Sequence, residues 1–221
     1  MNKLFLVISA LAILSCNKKK DTTIPFSEAT YTMTVSLNWT SPQFGVPGGA
    51  HVTPLIGMIH SKDTFQWKTG ILATAGLELV AEQGVNTIMD TELDAIIASG
   101  KALSKFTFTQ PAITGTVINT ITLNTNYPLI SFASMLAPTP DWFIGLNSFS
   151  LLDNNSQWIS DITIDLYSYD AGSEDGDVFS TGYPDSSPHG NVAILTPANA
   201  SILANGNASV GPIGTIRFVK N

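Results

Sequence analysis

Cysteine is nearly absent from this chain of 221 residues, which contains a single one, Cys16. One cysteine cannot form a disulfide within the chain, so covalent cross-links do not stabilise the fold. Stability must come from a hydrophobic core, and the chain is long enough to bury a large one. We therefore expect one large domain rather than a small disulfide-linked scaffold.

Charged residues are also scarce, at 12% of the chain against roughly 25% in typical soluble proteins. Arg217 is the only arginine, and the formal net charge is −7. Because binding to nucleic acid requires clustered lysine and arginine, this composition argues against nucleic acid as a partner. The surface must rely on serine, threonine and asparagine, which suits an extracellular β-protein.

The N-terminus has the features of an export signal. Lys3 gives a positive start, and residues 4–14 form a mostly apolar run that is too short to span a bilayer. The letters ILSC at 13–16 match the site at which bacterial lipoprotein precursors are cleaved and acylated. We predict a signal peptide over residues 1–15 and a lipid on Cys16. An ordinary secretory signal with an incidental cysteine is the alternative, and both place the domain outside the cytoplasm.

Residues 16–29 are predicted to be the lipidated cysteine and a flexible linker, because they are polar, contain Pro25 and lack a sustained hydrophobic period. Lysines at 18–20 directly follow the cysteine, where they suit attraction to anionic lipid headgroups or a solvated tether. We expect an exported protein, anchored by lipid to a bacterial envelope at the outer membrane and facing either the periplasm or the outside.

From residue 30 onward the sequence predicts an all-β domain. In YTMTVSLNWT at 31–40, apolar and polar residues alternate strictly, which is typical of a half-buried strand. About eight such strands, separated by turn residues, indicate one antiparallel β-sandwich over residues 30–221. The other strands are predicted at 106–109, 116–123, 129–136, 142–151, 158–167, 192–196 and 213–219.

Two segments have helical spacing instead. ILATAGLELVAEQG at 71–84 and DTELDAIIASG at 90–100 each end at a glycine, so we predict two short helices inserted between strands. The segment 51–60 is interpreted as turn-rich, with structural histidines at its ends. The four tryptophans could stack on sugar, but at strand positions such residues more often pack in a core. Trp142 is the one we expect to be the exception, because it follows an acidic residue at a loop end.

An acidic segment, YDAGSEDGD at 169–177, opens a long loop rich in glycine, serine, aspartate and proline. Calcium takes six to eight oxygen ligands, and Asp170 and Glu174 could converge on one ion. The segment is not an EF-hand, because Gly172 stands where the third ligand should be. A solvated acidic turn is the alternative, and composition alone favours it.

Recognisable catalytic motifs are missing. The sequence has no G-x-S-x-G elbow and no H-E-x-x-H pair among its three histidines. A glycosidase needs only two carboxylates across a cleft, so this class stays open as an alternative. The candidate carboxylates are Asp141, Asp161, Asp165, Asp170, Glu174 and Asp175.

Two long runs resemble a known family. SMLAPTPDWFIGL at 134–146 and DLYSYDAGSEDG at 165–176 are similar to the M-x-x-P-S-P-D-W-x-x-G and D-L-x-x-x-D-A-G-T-D-x-G runs of the spondin N-terminal domain. That domain occurs in F-spondin, in mindin and in bacterial lipoproteins. The resemblance implies an extracellular β-sandwich similar to calcium-dependent lipid-binding domains, with a calcium ion held by aspartates on loops at one end.

Carried over position by position, the calcium ligands fall on Asp141, Asp170 and Glu174, with Asp175 as an additional candidate. Glu174 replaces an aspartate of the family, which keeps the carboxylate and adds a methylene. We predict a calcium-binding, non-enzymatic adhesion or recognition module on the cell envelope, whose partner is an unknown extracellular protein or glycan. The alternatives are an envelope glycan hydrolase that uses the acidic cluster and a structural component of an envelope assembly.

Overall fold

The computed structural model describes residues 24–221, so the predicted signal peptide and the lipidated Cys16 lie outside the described residues. The fold is an all-β sandwich with short helices, as predicted. No helix within 24–221 has the length and apolar character needed to cross a membrane. The strands are β1 (Glu28–Leu37), β2 (His51–Val52), β3 (Leu55–His60), β4 (Ala102–Phe108), β5 (Thr116–Asn124), β6 (Leu129–Ala137), β7 (Trp142–Ser150), β8 (Asp161–Leu166), β9 (Ser168–Asp170), β10 (Ala193–Ile194) and β11 (Gly214–Lys220).

The strands form two antiparallel sheets. The smaller sheet has four strands in the order β5-β1-β11-β8. The larger has the order β10-β9-β7-β6-β3-β4, and β2 pairs with β6 beside this path. Apolar side chains from both sheets meet in the main core, where Tyr31, Phe132 and Phe218 are fully buried.

Strand β1 is central to the smaller sheet because its alternating sequence gives it one apolar face. Tyr31, Met33 and Val35 are fully buried, while the threonines between them lie on the outer face. The strand begins at Glu28, two residues before the predicted domain boundary, and Ser27 already exchanges hydrogen bonds with Thr125. The end of the predicted linker is therefore part of the folded domain.

The segment 51–60, interpreted above as turn-rich, is instead β2 and β3. All six residues of β3 are buried, because one face packs in the main core and the other lies under the helices. A strand buried on both faces shows no polar–apolar alternation, which explains why the pattern was misleading. His60 is fully buried, with Nε2 2.9 Å from the Ser131 hydroxyl, and burial lowers its pKa.

Both predicted helices are present, and they cover the outer face of the larger sheet. These are α1 (Ala75–Gln83) and α2 (Thr87–Ala98). The Thr74 side chain accepts a hydrogen bond from the Leu77 amide and caps α1, and Gly84 ends it in a left-handed conformation with φ 66°. Glu92 of α2 accepts hydrogen bonds from the Thr74 hydroxyl and the Gly76 amide, which joins the two helices. A third helix, α3 (Ser201–Ala204), is a single turn.

Gly57 lies at the closest approach of β3 to β6. A Cβ at this position would overlap the carbonyl oxygen of Ser131 and would come within 2.7 Å of the Phe132 Cβ. We expect Gly57→Ala to lower the free energy of unfolding by roughly 1–3 kcal/mol, because neighbouring backbone must move. Urea unfolding measures this change.

Gly48→Ala is the matched control, since a Cβ at Gly48 meets nothing within 4 Å. A Gly57→Ala variant as stable as Gly48→Ala would contradict the close packing of β3 against β6.

Candidate metal centre

Asp141 and Asp170, which are far apart in the sequence, lie side by side at one end of the larger sheet. Asp141 directly precedes β7 and Asp170 ends β9, and these strands are antiparallel neighbours with Trp142 opposite Asp170. The amide of Ala171 donates a hydrogen bond to the Asp141 carbonyl at 3.1 Å. Strand pairing therefore brings the two sequence motifs together.

The Asp141 carboxylate is fully buried and fixes the start of the acidic loop. Its Oδ2 accepts hydrogen bonds from the amides of Ser173 at 2.7 Å and Glu174 at 3.2 Å, and from the Ser173 hydroxyl at 3.3 Å. Its Oδ1 is buried and has no hydrogen-bond partner among residues 24–221. Burial raises the pKa of Asp141, and the bonds from Glu174 and Ser173 oppose that rise. One carboxylate oxygen thus remains available to a ligand.

Asp170 is partly buried beside Asp141. Its Oδ1 accepts a hydrogen bond from the Gly172 amide at 2.7 Å. Burial, followed by the negative charge of Asp141, raises the pKa of Asp170 to about 6. Gly172 is required here because its φ is 77° and a Cβ would lie 2.6 Å from the Gly190 carbonyl oxygen.

Glu174 has the most strongly perturbed carboxyl group of the three predicted ligands. Its pKa is raised to about 7, first by burial and then by the charges of Glu82, Asp141 and Asp185. Its Oε2 is buried without a hydrogen-bond partner. The predicted ligands therefore repel one another electrostatically. A bound cation would attract each carboxylate and so oppose the rise in their pKa values.

Asp175 lies at the same loop but has a different environment. It is exposed, and its Oδ1 accepts a hydrogen bond from the Ser186 hydroxyl at 2.6 Å. With Asp170 and Glu174 it lines a cavity of about 390 Å³, together with Gly176, Asp177, Tyr183 and Asn199. Asp175 therefore lines the same cavity as Asp170 and Glu174, from an exposed position.

The long loop after Asp170 is held by its own backbone. Ser186 donates to the Ser173 carbonyl at 2.8 Å, Gly190 donates to the Gly172 carbonyl at 2.7 Å, and Glu174 forms a β-bridge with Asp185. This folding brings Asp185 next to Glu174, which sequence spacing did not indicate.

Glu82 on α1 is a second residue that sequence reasoning missed. Burial raises its pKa, as do the charges of Asp185, Glu78 and Asp141. Glu82 and Glu174 also line a separate cavity of about 490 Å³. In the sequence, Glu82 is one of several glutamates at helical spacing, and only the packing of α1 on the larger sheet places it here.

Trp142 does not form a surface for stacking on sugars. It is fully buried, with its ring centroid 6.2 Å from that of Phe179. The Trp142 amide donates to the Thr139 hydroxyl at 3.2 Å, which fixes the turn that carries Asp141. The prediction of an exposed Trp142 is wrong because β7 is a buried strand at its first residue.

The donor set fits calcium in its chemistry. Calcium prefers carboxylate and carbonyl oxygens, and two buried carboxylate oxygens here, Asp141 Oδ1 and Glu174 Oε2, have no hydrogen-bond partner. Within residues 24–221, no three acidic, histidine or cysteine side chains already converge as a metal-binding group. An ion would therefore be held only if these carboxylates moved closer together.

Taken together, these features define an all-β sandwich with a buried aspartate and an acidic loop at one end. The sequence matches the Spondin_N family over residues 29–205, so the chain belongs to that family. Human Spondin-2 is 31% identical over 189 residues, which cover 80% of this chain and 55% of the human protein. Rat Spondin-2 is 29% identical, covering 87% and 62%, and chicken Spondin-1 is 28% identical, covering 76% and 22%. The chain thus spans little more than half the length of the spondin-2 relatives.

The raised pKa values predict how stability changes with pH in the absence of metal. Asp170 and Glu174 have pKa values of about 6 and 7 in the fold against ordinary values of 3.8 and 4.5, so the folded state binds these protons more tightly than the unfolded state. Stability should fall as pH rises from about 4 to 7, and the whole penalty is present above about pH 7. Asp170→Asn should remove on the order of 2 kcal/mol of this penalty.

Urea unfolding at about pH 4 and about pH 8 in the presence of a chelator measures this effect. Asp165→Asn is the control, because Asp165 is exposed on β8. If the stability of the Asp170→Asn protein changes with pH as much as that of the Asp165→Asn protein, Asp170 is not a source of the pH dependence.

Proposed function

We propose that the protein is a calcium-binding, non-enzymatic adhesion or recognition module, displayed on the bacterial envelope by lipid on Cys16. The observation that carries this proposal is the fully buried Asp141, which has one oxygen tied to the acidic loop and the other unpartnered. Membership of the Spondin_N family supports the extracellular setting.

Asp141, Asp170 and Glu174 would hold the ion, with Asp175 as an outer ligand. Calcium would supply positive charge and join the turn before β7 to the loop after β9. Each of the three main carboxylates has a raised pKa, and each would be stabilised in its charged form by the ion. The loop between Gly172 and Gly190 would then present a fixed surface to a partner.

The partner is proposed to be an extracellular protein or glycan that the loops around the ion contact. Because Ser27 is already paired with Thr125, the proposed linker between Cys16 and the fold has about ten residues and reaches at most about 35 Å when fully extended, so the partner would lie at the envelope or be brought against it. The membrane is a second partner through the proposed lipid and the lysines at 18–20.

Calcium should raise the thermal stability of metal-stripped protein. At a concentration 100-fold above its dissociation constant, an ion that binds only the folded state contributes about 2.7 kcal/mol, which corresponds to roughly 5–10 °C in melting temperature for a domain of this size. Asp170→Asn should abolish most of this shift, because it removes one charged ligand.

Asp165→Asn again serves as the control and should respond to calcium as the wild-type chain does. The affinity should also increase from about pH 6 to about pH 8, since calcium competes with protons for the same carboxylates. A melting temperature that calcium does not change would contradict the metal centre.

A glycan hydrolase is the second candidate, and one observation favours it. Asp170 and Glu174, with pKa values of about 6 and 7, line one cavity, and a general acid must hold its proton near neutral pH. Calcium binding at these groups would compete with such a role, because the ion requires them in their charged form.

A binding screen against glycans and matrix proteins, with and without calcium, separates the two functions. We expect binding that calcium strengthens, that Asp170→Asn weakens and that leaves the ligand intact. Binding indifferent to calcium throughout would contradict the recognition proposal, while glycan cleavage by the metal-stripped protein that Glu174→Gln abolishes would establish the hydrolase.

A further inference from the structure

Strand β5 forms an open edge of the smaller sheet. It pairs only with β1 and ends the strand order on that side. The Leu37 amide donates to the Gly115 carbonyl, and the Thr125 amide donates to the Ser27 carbonyl. Antiparallel pairing alternates, so the odd-numbered residues between these two points direct their backbone groups to β1. The amides and carbonyls of Thr116, Ile118, Thr120 and Thr122 therefore point away from the sheet, while the Asn124 carbonyl accepts a hydrogen bond from the Tyr127 amide at 2.9 Å.

This edge has none of the features that normally prevent edge-to-edge pairing. Its nine residues, TVINTITLN, contain no charge, no proline and no glycine, and the register with β1 is unbroken. Ile118 on its outer face is 67% exposed. At about 3.4 Å per residue, the strand offers roughly 30 Å of free edge.

The other edge strands are protected. At the opposite end of the smaller sheet, β8 carries Asp161 and Asp165. In the larger sheet, the Lys105 ammonium of β4 lies 2.8 Å from Asp90 and 2.7 Å from Asp94 of α2, and β10 is only two residues long. Among the described strands, β5 alone is a long, neutral and uncovered edge.

We propose that a second copy of this chain pairs with β5, strand to strand and antiparallel, about a two-fold axis at Thr120. This register places Thr116 opposite Asn124 and Ile118 opposite Thr122, so the outward backbone groups of Ile118, Thr120 and Thr122 are satisfied in both strands. The pairing joins the two small sheets into one sheet of eight strands. It depends on neither calcium nor the function proposed above.

A second copy suits this edge because an antiparallel strand is complementary to itself under two-fold symmetry. The distribution of charge also favours β5 as the contact between two copies. The chain has a net charge of −7, so two copies repel over most of their surfaces, while β5 is neutral along its whole length. Each Ile118 would also lie beside a Thr122 of the second copy, which removes apolar surface from water.

Cysteine cross-linking tests the register. Two residues that face each other in a hydrogen-bonded antiparallel pair have Cα atoms about 5.5 Å apart, within the range that a disulfide bridges. Under mild oxidation of the full chain, Thr120→Cys should give a covalent dimer well above the level of the wild-type chain, which controls for Cys16. Thr116→Cys should not, because Thr116 faces Asn124 rather than itself.

Sedimentation of the full chain in detergent, with and without calcium, tests the interface itself. Ile118→Lys should favour the monomer and raise the dissociation constant of the dimer at least tenfold. The melting temperature should not change. Thr163→Lys is the matched control, since Thr163 is an exposed residue of the opposite edge strand, β8.

Three results would overturn the pairing. These are cross-linking of Thr120→Cys no greater than in the wild-type chain, a cross-link formed only with a different protein, and a dimer that persists in Ile118→Lys.

Discussion

The buried carboxylate of Asp141 is the contact on which the functional end of this protein depends. It directly precedes β7 and accepts hydrogen bonds from the amides of Ser173 and Glu174. An aspartate removed from water is costly unless it is hydrogen-bonded or paired with positive charge. Here one oxygen is satisfied and the other is not. The loop is therefore positioned by the protein, and the unpartnered oxygen is the position at which we propose that a cation binds.

Repulsion among the carboxylates follows from the same arrangement. Asp170, Glu174 and Glu82 each have a raised pKa, and Asp141 contributes to all three shifts. In a chain with a net charge of −7, such an end is unfavourable without a counter-charge. A bound calcium would convert this local cost into a link between two loops. Stability, calcium affinity and the shape of the recognition surface would then be coupled.

The rest of the sandwich acts as a rigid support for this end. The two faces of the larger sheet pack against the smaller sheet and against α1 and α2, and Gly57 permits the close approach of β3 to β6. The helices serve a second purpose, because α1 carries Glu82 to the acidic end. Within residues 24–221, no strand pairs with the outer edge of β5, where the proposed second copy would extend the smaller sheet.

Much of the fold could be read from the sequence, because its signals are local. Strict alternation identified β1, and helical spacing that ended at Gly84 and Gly100 identified α1 and α2. Two long motifs identified the loops that carry Asp141, Asp170 and Glu174. Patterns of this kind depend on neighbouring residues and on the periods of strands and helices, so they survive without knowledge of the tertiary structure.

Only the tertiary structure decided which residues meet. Strand β3 was missed because burial on both faces removes alternation, and Trp142 proved to be core rather than surface for the same reason. Glu82 reached the acidic end through helix packing, which brings it near Glu174, 92 positions further along the chain. Asp185 reached it through loop pairing with Glu174, 11 positions before it. Whether β5 is a free edge also depends on the order of strands in the smaller sheet. Sequence thus determined most of the strands and helices and the chemistry of two loops. Packing determined the electrostatics of those loops and which strand of the smaller sheet is left as a free edge.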